Sequence, residues 1–200
     1  MRHSIDSIKQ SYSPVITIYG SSTCAQDSLL YKQAFDLGKG IANLEKYSIA
    51  TGGYTGTMDA ISKGANSNLD KGKKNIGILG ITTDQITRFE PSKYLTEEFR
   101  EITLMTRLEV LQGIADKHIF LAGSTGTLTE LSLLWDKQKL GILPLKPIFL
   151  LGKTWHTIFD IMFEQNQEVP KSPWKLDIDV KNNTKIVHSI EDLVNNIKIE

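Results

Sequence analysis

The chain is poor in cysteine and has no charge excess: Cys24 is its one thiol, and 23 Lys and Arg stand against 23 Asp and Glu in 200 residues. A lone thiol makes neither an internal disulfide nor a multi-thiolate metal site, which excludes the disulfide-stapled secreted class and zinc ribbons. Balanced charge gives no long-range field to gather polyanions, and no run of five or more basic residues compensates. The sequence therefore predicts that nucleic acid is not a partner. No window approaches the roughly 18 consecutive apolar residues of a membrane span, and MRHSIDSIKQSYSP at the N-terminus lacks the apolar stretch of a signal peptide. The expectation is a cytoplasmic protein with no membrane partner. His3, His118, His156 and His188 show no metal-ligand spacing, so no metal is expected. None of the glycine-bearing turns at Tyr19–Thr23, Thr51–Thr57 and Ala122–Thr127 reads GxGxxG or ends in GK[ST], which disfavours a nicotinamide dinucleotide and ATP hydrolysis; no lysine context suggests pyridoxal phosphate. No cofactor is expected.

What is present is alternation. Short β-branched or apolar runs recur at Val15–Tyr19, Tyr47–Ala50, Ile76–Leu79, His118–Leu121, Pro147–Leu151 and Lys185–Val187, most of them followed by apolar residues at helical spacing. The helical stretches are Ala25–Lys46, Met58–Ala65, a segment ending at Ala115, Thr127–Leu140, Thr154–Phe163 and Ser189–Ile197, while Ile102–Met105 reads equally as a further strand or as the start of the segment to Ala115. Ile81–Pro91 has no period and reads as loop, Thr96–Arg100 as a single turn, and Glu164–Asn183 as a surface excursion. Six or seven strands alternating with helices predict an α/β, Rossmann-like, doubly wound sheet, mostly parallel, with helices on both faces. The length suits one such domain over residues 15–200, after a polar extension at 1–14.

In such sheets ligands bind outside the carboxyl ends of the strands. Three glycine-bearing turns fall there: Gly20-Ser21-Ser22, the run Thr51 to Thr57 with Gly52, Gly53 and Gly56, and Ala122 to Thr127 with Gly123, Ser124, Thr125 and Gly126. Each is read as leaving a strand and opening a helix, a geometry that aims backbone N–H groups and a positive helix end at an anion. Glycines also simply permit tight turns; three at one sheet edge favour an anion site.

Two charged residues stand out. Arg107 shares a helical face with Leu104, Leu111 and Ile114, so its guanidinium points at the apolar side, where it needs an anionic partner. That partner is either another side chain or a ligand. Glu130 lies three residues after Thr127, the spacing of a capping box in which the glutamate only serves the helix end.

These residues carry a resemblance. Arg107-Leu108 followed by Ala122-Gly123-Ser124-Thr125-Gly126-Thr127-Leu128-Thr129-Glu130, with Glu130 23 positions after Arg107, resembles the Arg-Lys and Pro-Gly-Gly-x-Gly-Thr-x-x-Glu motifs of the LONELY GUY family. The early Gly20-Ser21-Ser22 turn, Thr51 to Ala60, Leu140-Gly141 and Lys146-Pro147 also fit, so the likeness spans about residues 15–163. It implies a Rossmann-like fold, usually a homodimer, and hydrolysis of the N-glycosidic bond of a nucleoside 5'-monophosphate to free base and ribose 5-phosphate. Arg107 and Glu130 would be the catalytic pair, and the glycine turns, including Thr57 and Thr127, would hold the nucleotide. Leu108 replaces the family's Lys, Ala122 its Pro and Ser124 its second Gly. Those departures keep a second expectation open, a non-catalytic carrier of a nucleotide or of molybdenum cofactor in the same cleft.

Overall fold

A computed structural model describes residues 4–67, 76–165 and 175–199. In chain order the elements are α1 (Ile5–Tyr12), β1 (Val15–Tyr19), α2 (Leu29–Ala42), β2 (Ser48–Thr51), α3 (Thr57–Asn66), β3 (Ile78–Thr83), β4 (Glu97–Glu101), α4 (Leu104–Gly113), β5 (Lys117–Phe120), α5 (Thr125–Lys139), β6 (Ile148–Leu151), α6 (Lys153–Phe159), a π-helical turn over Asp160–Gln165, α7 (Lys175–Asn183), β7 (Thr184–Val187) and α8 (Ile190–Ile199). The strands form one parallel sheet in the order β4-β3-β2-β1-β5-β6-β7. The chain moves outward from β1 to β4, then returns to lay β5 beside β1. That return opens a crevice at the carboxyl ends of β1 and β5, where strand order reverses.

The inner strands read as continuous apolar runs because both of their faces are covered; every residue of β1, β2, β3, β5 and β6 is buried. One core lies under α2, α3 and α8, with Leu37, Ile41, Ile61 and Leu193 against Ile16, Ile18 and Ile49. The other lies under α1, α4 and α5, with Ile8, Leu111, Leu131 and Trp135 against Tyr19, Ile81 and Phe120.

Several segments differ from their sequence reading. Thr96–Arg100 is not a turn: Glu97–Glu101 pairs with β3 from Leu79 to Thr83 as an edge strand. Its Glu-Glu-Phe-Arg-Glu composition hides it from a search for apolar runs, while charge on an exposed edge discourages pairing with other chains. β3 itself runs to Thr83, into the stretch read as loop. Residues 5–12 of the expected extension form α1, and Ile8 is buried in the second core. The excursion after Glu164 contains α7; its Pro170 and Pro173, like His3, lie outside the described residues.

Gly38 weakens α2 as a sequence pattern, yet the helix needs it. A Cβ on Gly38 would strike the Ile61 carbonyl, and one on Gly64 the Phe35 carbonyl, so α2 and α3 touch backbone to backbone. Gly38→Ala and Gly64→Ala are each expected to destabilise the fold by about 1–3 kcal/mol, although alanine is favoured over glycine by about 1 kcal/mol in a helix interior. Denaturant unfolding checks this, and a stabilised Gly38→Ala variant would contradict the close crossing.

Candidate functional site

Three turns meet above the crevice and are bonded to one another. The Ser21 N–H donates to the Ala122 carbonyl at 3.2 Å, tying the first turn to the third. The Ser21 carbonyl accepts from the Thr57 N–H at 2.8 Å and the Thr57 hydroxyl at 3.1 Å, and the Ser22 carbonyl accepts from the Thr55 hydroxyl at 2.8 Å. Gly20 and Gly56 permit this approach. A Cβ on Gly20 would meet the Thr57 hydroxyl oxygen at 2.6 Å, and Gly56, at φ 70°, sits against the Ser21 and Ser22 backbone.

Only two of the three turns open a helix. α2 begins at Leu29 under a Ser28 cap, well past Gly20-Ser21-Ser22, so that turn offers no helix end. The Thr57 N–H is already taken by Ser21. Gly123 to Gly126 is the exposed turn, and α5 starts at Thr125 with no side-chain cap from Ser124. The first N–H groups of a helix have no intrahelical acceptor, so this end is the one presented to an anion.

This start also removes the capping-box reading of Glu130. With Ser124 as N-cap, Thr127 is the third residue of the helix and Glu130 lies a turn further in. The capping box of this region forms instead at α4, between Thr103 and Thr106.

Arg107, 5% exposed, enters from α4. Its Nε donates to the Ile81 carbonyl at 2.7 Å and an Nη to the Gly52 carbonyl at 3.2 Å; its other Nη stands 3.9 Å from Glu130 Oε1. Gly52 has no Cβ because one would occupy the guanidinium, and Gly53, at φ 78°, continues the turn around it. Both alternatives for the anionic partner thus share one geometry: Glu130 faces the guanidinium, yet at a separation longer than a hydrogen bond. Burial pushes the Glu130 carboxyl up to about 7, and the Arg107 charge pulls it back only in part. Burial likewise lowers the Arg107 pKa, with Glu130 opposing.

Sequence reasoning missed two neighbours. Tyr54 places its ring 5.7 Å from the Arg107 guanidinium and locks its hydroxyl to the Thr83 backbone, accepting from N–H at 2.9 Å and donating to C=O at 3.1 Å. Tyr19 is buried below, stacked on Phe120 at 4.4 Å, with its hydroxyl 3.3 Å from His118 Nδ1. Burial raises the Tyr19 pKa well above its ordinary value, and the Glu130 charge adds to this. His118 is held neutral, its pKa lowered to about 3 by burial and by Lys146. A tyrosine ending an apolar strand, or standing between glycines, was the available signal. Among the described residues no group of three or more His, Cys, Asp or Glu is placed to hold a metal, and no helix is long and apolar enough to cross a membrane.

A parallel sheet with a strand-order reversal, glycine turns and a buried Arg107 facing a half-buried Glu130 over the crevice defines a Rossmann-like fold of the nucleotide-binding type. The chain belongs to the SLOG cluster4 family, whose profile matches residues 13–172. That match supports the LOG-like superfamily; LONELY GUY membership is finer than it reaches. No curated protein matches the chain. Among solved structures it is similar to TM1055, a structural-genomics target, at 20% identity and TM-score 0.67, over 94% of this chain and 99% of that one. It is also similar to the molybdenum cofactor binding protein of the phototrophic bacterium Rippkaea orientalis, at 21% identity and TM-score 0.63, over 93% and 96%. At these identities the likeness is one of fold.

A third neighbour corrects an expectation. DNA processing protein A from Helicobacter pylori, described with a single-stranded DNA binding mode, shares the fold at 14% identity and TM-score 0.58, over 96% of this chain and 83% of that one. The exclusion of nucleic acid is therefore withdrawn. It rested on net charge and on the lack of a contiguous basic run, and neither describes the local field that separate residues build at one sheet edge.

The Glu130 environment fixes a pH signature. The folded carboxyl keeps its proton up to about pH 7, whereas an unperturbed one releases it near 4.5. The folded state therefore binds more protons in that window and loses stability as pH rises through it. Glu130→Gln is uncharged at every pH, so it is expected to be more stable than wild type above about pH 8, by on the order of 2 kcal/mol, and equal to it near pH 4.5. Thermal melts across that range test this. A variant less stable at every pH would restore the capping role.

Proposed function

We propose that the cleft hydrolyses the N-glycosidic bond of a purine-type nucleoside 5'-monophosphate, such as AMP or a cytokinin riboside monophosphate, giving free base and ribose 5-phosphate. The chain would then be a phosphoribohydrolase of LONELY GUY type. One observation carries the reading. Glu130 presents a carboxylate with no side-chain hydrogen bond among the described residues, 3.9 Å from a buried guanidinium, on the helix whose uncapped N-terminus faces the crevice. A carboxylate that only capped the helix would accept a backbone N–H; this one is ion-paired to Arg107 at a distance that leaves both oxygens able to accept from a ligand or water.

Breaking the bond from C1' to the base nitrogen sends its electron pair to the base and leaves positive charge on the ribose. The ionised Glu130 stabilises that charge. Water adds to C1', its proton passes to Glu130, and Glu130 hands that proton on to the departing base nitrogen, which restores the carboxylate. Arg107 positions Glu130, being anchored to the Ile81 and Gly52 carbonyls. In this reading Gly123, Ser124, Thr125, Gly126 and Thr127 hold the phosphate. The turns with Gly20, Ser21, Ser22, Gly52, Gly53, Gly56 and Thr57 brace that grip, since Ser21 is bonded to Ala122 and Thr57 to Ser21. Phosphate binding away from C1' supplies energy to orient the reacting centre.

A second reading has its own observation. Leu108, 3% exposed, stands where the LONELY GUY motif has lysine, so that motif's second cation is absent here. A carrier that binds a nucleotide or molybdenum cofactor without turning it over would tolerate the loss, and the R. orientalis neighbour is described as binding that cofactor.

Incubation with a panel of nucleoside monophosphates and detection of free base separates the two readings. The first expects base release, with kcat lowered by about 10²–10⁴ in Glu130→Gln. It also expects kcat/KM to rise with pH through about 7 as Glu130 ionises. The kcat limb should lie higher, because bound phosphate disfavours a second negative charge. Nucleotide binding without base release would select the carrier, and full activity in Glu130→Gln would remove Glu130 from the mechanism.

A further inference from the structure

A second cavity, of about 630 Å³, opens on the α2/α3 side of the same turns, lined in part by Cys24, Tyr31, Asp59, Lys63, Lys93 and Tyr94. It shares Ser22, Tyr54 and Gly56 with the turns of the Arg107 site, but neither Arg107 nor Glu130 lines it. Its size falls within the range of small-molecule sites.

The lining is organised by charge. Asp59, in the first turn of α3, accepts from the Tyr31 hydroxyl through one oxygen and from the Ser92 hydroxyl through the other, both at 2.7 Å. These two bonds knit α2, α3 and the segment after β3 together and occupy both oxygens of the carboxylate. Lys63 and Lys93 bring their ammonium groups to the same ring, 6.0 and 5.3 Å from the Tyr94 centroid. Among the described residues neither lysine has a carboxylate within ion-pair distance. Both lysines thus bring an ammonium group to one cavity that Asp59 and Glu90 also line, and among the described residues neither is held in an ion pair, so both are available to a phosphate. Glu90 is exposed at the rim, where it can accept N–H donors from the rest of a ligand.

We infer that this cavity is a second binding site, bordering the same turns but reached by neither Arg107 nor Glu130, for a nucleotide-sized phosphate ester whose phosphate is held by Lys63 and Lys93. The assignment rests on the cavity, the lysine pair and the committed Asp59, and does not depend on hydrolysis at Glu130.

Cys24, the chain's one thiol, lines the cavity and reports on its occupancy. Burial raises its pKa, so labelling is run at alkaline pH, where the thiolate forms. The experiment uses the full chain carrying Glu130→Gln, so that the probe, AMP, is not consumed, and follows iodoacetamide modification of Cys24 by mass spectrometry. Saturating AMP is expected to slow labelling roughly tenfold or more. Adding Lys63→Glu and Lys93→Glu together is expected to abolish the protection while leaving the melting temperature near that of the parent. Labelling unaffected by millimolar AMP would overturn the site, and so would protection that survives both lysine substitutions. Base release, measured separately on the wild-type chain, reports on Glu130 alone; its absence would leave the cavity result intact.

Discussion

The crevice is organised around one buried charge. Arg107 sits among apolar side chains on α4, where a guanidinium costs several kcal/mol unless its donors are used. Its donors reach the Ile81 carbonyl in β3 and the Gly52 carbonyl just past β2, and its remaining face turns to Glu130 on α5. One side chain thus joins two strands and two helices at the carboxyl edge of the sheet. Gly52 follows from this, since the guanidinium fills the space its side chain would take. Tyr54 follows as well, closing over the charge with its ring and fixing its hydroxyl to Thr83.

The same charge sets the state of Glu130. Burial alone would leave a neutral acid, and the guanidinium at 3.9 Å restores part of the ionisation, so the carboxyl sits near the middle of the physiological range. The ground beneath is inert: His118 is held neutral and Tyr19 cannot ionise easily. The turn that carries α5 is pinned from behind, where the Trp155 indole donates to the Leu121 carbonyl at 2.8 Å, while Ser21 holds Ala122 from the front. A proton-exchanging carboxyl on a rigid turn, next to unsatisfied helix N–H groups, suits a ligand with a phosphate at one end and a reactive or merely bound sugar at the other.

How much of this was legible in the sequence depended on where each residue's energy comes from. The inner strands could be read because both faces are covered and the apolar run is continuous. β4 could not, because an edge strand draws on backbone pairing with β3 and keeps its charges in water. Arg107 could be placed because a cation on an apolar helical face violates the helix's own period, and the violation pointed to a partner. Glu130 was ambiguous because the capping-box spacing is local; only the start of α5 at Thr125 shows that the spacing falls one turn too deep. Gly38 counted against α2 in sequence terms, although the backbone contact with Ile61 is what demands it. Tyr54 showed only as a tyrosine between glycines, and the Tyr31–Asp59–Ser92 knot left no trace, since its partners are distant along the chain.

Everything proposed for the cleft depends on where a phosphorylated sugar sits relative to Glu130. A crystal structure of the Glu130→Gln variant soaked with AMP measures this directly. The expected result is phosphate density against the backbone of Gly123 to Thr127 and the ribose C1' facing the amide that replaces the Glu130 carboxyl, with room for one water at about 3 Å from it. Phosphate elsewhere, or a ribose turned so that C1' faces away from that side chain, would contradict the assignment.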